Sequence, residues 1–140
     1  MSRNRLAASL LAIPIAGVIA ACGTSAAQPE SEQESLALLF TQALPNVPGK
    51  TFTSAIVTFP PGVHAAPHRH GDAFVYAYVL EGDVSSQVEG EPARVYHQGD
   101  NWSEQPGAHH VATENTSQTQ PAKLFVVFVS DTGAQLKTDD

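Results

Sequence analysis

Residues Gly62 to Gly82 read GVHAAPHRHGDAFVYAYVLEG, and the rest of the chain is organised around them. The stretch follows a Pro60-Pro61 turn and carries His64, His68 and His70. It then enters a β-forming run, Phe74 to Leu80, that stops at Glu81-Gly82. Side chains two apart in an extended chain project to one face, so His68 and His70 point together. Two imidazoles on one face make half of a first-row metal site. A His-x-His pair alone is more often two polar residues on a strand than a ligand pair. Here the third candidate is near: His109 and His110 follow, and all six histidines lie between His64 and His110.

The start of the chain reads as a targeting segment. Arg3 and Arg5 precede an apolar run, Leu6 to Ala21, that is short for a membrane span and broken by Pro14 and Gly17. Residues 1–21 therefore read as a signal peptide. Ile19-Ala20-Ala21-Cys22 resembles the bacterial lipobox, which implies lipidation of Cys22. Residues 22–35, rich in Ser, Ala, Gln, Pro and Glu, then read as a flexible tether. The expected location is an exported lipoprotein anchored in a membrane, periplasmic or outer-membrane if the source is Gram-negative. Cleavage near Ala26-Ala27 and soluble secretion is the competing reading. Cys22 is the single cysteine, so no intramolecular disulfide forms, although export implies an oxidising compartment. All 14 acidic residues follow Cys22, against Lys50, Arg69, Arg94, Lys123 and Lys137. Such an acidic domain disfavours nucleic acid as a partner, because phosphate binding needs a clustered basic surface.

The remaining punctuation is that of one all-β domain over residues 36–133, with a polar tail at 134–140. Ser35 to Leu44 is apolar enough for a short helix or an opening strand, and its length does not decide. Thr51 to Phe59, Phe74 to Leu80, Val84 to Val88, Ala93 to His97, Asn101 to Glu104 and His109 to Thr113 are short segments separated by Gly/Pro turns. Leu124 to Val129 (LFVVFV) reads as a strand buried on both faces. Such spacing points to a sandwich or small barrel.

Over Lys50 to Ser130 these residues resemble the cupin superfamily. Gly62, His68, His70 and Gly82 fall on the frame of its first motif, and Gly99, Gly107, His110 and Asn115 on that of its second, with one extra residue before the Asn. The resemblance implies a small β-barrel of the double-stranded β-helix (jelly-roll) type. It also implies a mononuclear divalent metal (Fe, Mn, Zn or Ni) held by His68, His70 and His110. The family's usual fourth ligand, a Glu, is missing: its position falls on Val75, or on Phe74 by the shorter spacing. Asp72, Glu104, His64 and His109 are the candidate substitutes. Phe74, Tyr76 and Tyr78 share parity with His70 and, with Trp102, either line the pocket or fill the core. Arg69 should face outward and His97 should be solvated. The implied activity is dioxygenase- or isomerase-like chemistry on a small molecule; the alternative is a non-catalytic cupin that binds a small molecule or a metal. Cupins commonly pair through β-strands, so a homodimer is expected.

Overall fold

The computed structural model describes residues 33–140; residues 1–21, read as a signal peptide, Cys22, and the segment read as a tether as far as residue 32 lie outside the described residues. Eleven strands and no helix are found among the described residues: β1 (Ser35–Ala43), β2 (Lys50–Phe59), β3 (His64–Ala65), β4 (His68–Arg69), β5 (Phe74–Glu81), β6 (Val84–Val88), β7 (Arg94–Tyr96), β8 (Asn101–Glu104), β9 (His109–Asn115), β10 (Ala122–Asp131) and β11 (Thr138–Asp139). They form two antiparallel sheets in the order β1-β2-β10-β5-β8 and β11-β4-β9-β6-β7, with β3 also on β9. This is an all-β jelly roll.

The core lies between the sheets. β10 alternates: Ala122, Leu124, Val126, Phe128 and Ser130 are buried, and the residues between them are half-buried. LFVVFV is thus not buried on both faces as its composition predicts. Its second face is the outside of the first sheet, where Phe125, Val127 and Val129 pair with Tyr78, Tyr76 and Phe74 of β5. The inward set meets Val75, Ala77 and Val79 of β5 and Phe59 of β2. A Phe128→Ala change in such a core costs about 3–5 kcal/mol.

Ser35 to Leu44 resolves as a strand. β1 pairs with β2 from Ser35↔Thr58 to Ala43↔Thr51, because the short turn through Pro45 to Gly49 folds it straight back onto an open sheet edge. The last residues differ from their reading as a polar tail. β11 pairs with β4, Thr138 opposite Arg69 and Asp139 opposite His68, and the Asp140 N–H donates to Pro67 O at 3.1 Å. Main-chain hydrogen bonds, not apolar alternation, hold this segment, so a search for hydrophobic periodicity passes over it. Glu34, inside the segment read as a tether, is ion-paired to Lys137 at 2.6 Å.

Two frame residues have direct structural causes. Gly82 has φ 74°, and a Cβ there would stand 2.9 Å from Pro121 O; only glycine permits that close approach. Asn115 is buried, and its amide donates to Phe59 O, Pro60 O and Gln120 O while its Oδ1 accepts from the Ser117 N–H. A buried side-chain amide so fully satisfied clamps two loops at one end of the barrel.

Candidate metal centre

Three imidazoles are brought together from two strands and the turn after β4. His68 on β4 is the direct cross-strand partner of His110 on β9, so both project to the inside of the second sheet. His70 follows two residues on, its ring 4.8 Å from that of His68. The nitrogens that the three rings can offer lie within 4.8 Å of one another. His68 and His110 are buried and His70 nearly so.

The tautomers of two rings are set by the main chain. His68 Nδ1–H donates to Ala66 O at 2.7 Å, and His70 Nδ1–H donates to Leu136 O at 2.5 Å. A carbonyl only accepts, so each Nε2 carries a lone pair, as a ligating imidazole requires. His110 Nε2 is hydrogen-bonded to Ser86 Oγ at 2.8 Å and to Thr113 Oγ1 at 2.6 Å. Its Nδ1 stands 3.1 Å from Glu104 Oε1.

Burial disfavours the charged form of His68 and His70. It pushes the His68 imidazole down to about 4, helped by the neighbouring His110 and His70. It also lowers His70, although the Leu136 carbonyl and the Glu104 carboxylate pull the other way. Glu104 is 3% exposed. Burial raises its carboxyl, but contacts with His110 and His70 and the Trp102 N–H outweigh that and hold it below the usual carboxylate range. Imidazoles with an ionised carboxylate beside them form a donor set that suits a divalent cation of the first transition row.

The centre opens on a cavity of about 270 Å³. Val57, Phe59, Ala77, Leu124, Val126 and Phe128 form most of its wall, and Glu34, Leu36 and Lys137 stand along it as well. Trp102 lines it too, with its N–H donating to Glu104 Oε1 at 3.2 Å.

The other residues singled out fall elsewhere. Phe74, Tyr76 and Tyr78 do not line the cavity; they stand on the outer face of the first sheet. Parity with His70 fails because the chain turns between the sheets: Gly71 has φ 57° and the Ala73 N–H donates to His70 O. Asp72 is exposed on that turn and His64 is exposed on β3. His109 points away from the cavity, with Nε2 2.7 Å from Asp140 Oδ2. Arg69 is exposed, and exposed His97 is paired with Asp83 at 2.9 Å, which raises its pKa. Of the four candidate substitutes for the missing Glu, only Glu104 enters the cavity.

Sequence reasoning missed Ser86, Thr113 and Leu136. Strand parity puts Thr113 on the opposite face from the ring three residues before it. A bulge at Val111, where Gln87 pairs with Ala112 but Val88 with His110, turns both inward.

The family model described as Cupin domain matches residues 55–128. Among solved structures the chain resembles the DMSP lyase DddQ from Ruegeria pomeroyi DSS-3, at 21% identity over 76% of this chain and 51% of that one, with a TM-score of 0.61. A conserved protein with a double-stranded β-helix domain from Klebsiella pneumoniae is similar at 18% identity, over 77% of this chain and 85% of that one, with a TM-score of 0.59. An oxalate oxidase in complex with the substrate analogue glycolate is similar at 21% identity, over 71% and 52%, with a TM-score of 0.57. The chain spans about half the length of the lyase and the oxidase. At these identities the likeness is one of fold. No curated protein matches the sequence.

Proposed function

The chain belongs to the cupin domain family, and from that premise we propose that it holds one divalent metal through His68, His70 and His110 and uses it on a small molecule that enters the barrel. The observation that carries this reading is the pair of backbone carbonyls, Ala66 O and Leu136 O, that turn two Nε2 lone pairs into the cavity. The metal, iron, manganese, zinc or nickel by donor type, would supply Lewis-acid or redox chemistry. The protein's share is to hold three imidazoles, keep Glu104 ionised beside them and exclude bulk water with apolar walls. A cavity of this size and lining fits a compact, largely apolar molecule with one or two polar atoms directed at the histidines. The lyase and oxidase likenesses support chemistry on a small molecule but not a particular reaction.

Two further parts of the reading have their own support. Arg3, Arg5, the apolar run and Cys22 support an extracytoplasmic protein held to a membrane by lipid. On the edge strand β1, Leu38, Leu39 and Phe40 are 60%, 57% and 53% exposed. Among the described residues no strand pairs with the outer side of β1, and an apolar edge of that kind favours pairing with a second copy; light scattering that finds only monomers at high micromolar concentration would count against it.

The metal reading is tested by thermal unfolding of the full chain with and without divalent metal. A ligand held only by the native state raises stability by about 2.7 kcal/mol at a hundredfold excess over its Kd. For a domain of this size that is on the order of 10 °C in Tm. His110→Ala should lose this rise and His97→Ala should keep it. An equal rise in both variants excludes the site.

A further inference from the structure

We propose that Glu104 supplies, from the neighbouring strand, the metal-binding carboxylate that position 75 lacks. The inference rests on the three-histidine reading above and adds a fourth ligand to it.

The placement follows from register. Val75 on β5 is the direct antiparallel partner of Glu104 on β8. Residues directly opposite in such a pair project to one face with Cβ atoms about 4.5–5.5 Å apart. Glu104 therefore enters the cavity beside the point from which a side chain at 75 enters it, and its longer stem spans the offset. Both side chains are buried in the cavity wall.

The carboxylate is held, but incompletely. Oε1 accepts the Trp102 N–H at 3.2 Å and stands 3.1 Å from His110 Nδ1. Oε2 is buried without a hydrogen-bond partner. It stands 3.8 Å from His70 Nε2. That nitrogen carries a lone pair, because the ring's proton is on Nδ1 and is given to Leu136 O. Two electron-rich atoms thus face each other in a buried site, an arrangement that is costly unless something positive joins them. Lys137 does not meet the need, since its ammonium is paired with Glu34 at 2.6 Å and with Asp139 at 3.0 Å. A divalent cation shared by Oε2 and the imidazoles does. It also receives one negative charge, which three neutral nitrogens alone would not provide.

The test uses Co²⁺ alone as the probe, with the full chain, equilibrium dialysis and visible absorption. Glu104→Gln keeps the shape and the bond from Trp102 but removes the charge. It should weaken Co²⁺ binding at least about tenfold, since even partners outside the ligand shell contribute that much, and it should shift the d–d bands. Val75→Glu placed in the Glu104→Val background should recover most of the affinity by returning the carboxylate from across the strand pair. Unchanged affinity and spectrum in Glu104→Gln, with His110→Ala deficient, overturn the carboxylate ligand and leave the three-histidine site standing. Binding that is unaffected by His110→Ala, or absent from the parent, overturns both.

Discussion

His68 shows how much a single position here depends on burial. Its ring is protonated in the folded state only below about 4, against about 6.5 in an unfolded chain. As pH falls through that interval the unfolded chain takes up the proton first, so stability present above 6.5 is lost on the way down to about 4. Glu104, lowered from its ordinary value, adds a loss in the same direction below about 4.5. Thermal unfolding of the metal-stripped protein from pH 7 to pH 4 should therefore fall steeply, and His68→Gln should fall less. Parallel profiles for the two would show that this ring does not titrate as described. Spacing alone brings His68 and His70 to one face, and the motif frame adds His110. Glu104 could not be separated from Asp72, His64 and His109 by either, because what selects it is the β5–β8 register, a contact remote in sequence.

At the scale of elements, the misplacement of Phe74, Tyr76 and Tyr78 has the same origin. Parity is a property of one strand, and the turn at Gly71 ends one strand in the second sheet and starts another in the first. β11 was equally invisible, being polar and held by main-chain bonds. Its approach nevertheless matters to the centre, since Leu136 O just before it fixes the His70 tautomer. Ending the chain after Ala134 should weaken metal binding by about tenfold, the size expected for loss of an orienting partner. Lys137→Met removes the ion pair to Glu34 but leaves Leu136 in place. It should stay within about twofold, as partly exposed ion pairs contribute little. Calorimetric titration distinguishes them; equal affinity in truncated and parent chains would remove the tail from the centre.

For the whole molecule, the barrel holds a cavity with a histidine cluster and Glu104 in its lining, a largely apolar wall, and Glu34 and Lys137, paired with each other, along it. Short β-forming segments separated by Gly/Pro turns make this architecture legible in the sequence. The lipid reading belongs to this scale: labelled fatty acid should enter the parent and not Cys22→Ser, and a parent that stays unlabelled with a mature start near Gln28 would make it a freely secreted protein. The most direct measurement of the central claim is elemental analysis of the full chain after extensive dialysis. One divalent metal per chain is expected in the parent and in His97→Ala, with His110→Ala close to empty. A metal-free parent that takes up none on titration, or a His110→Ala variant as full as the parent, would contradict a metal held by His68, His70 and His110.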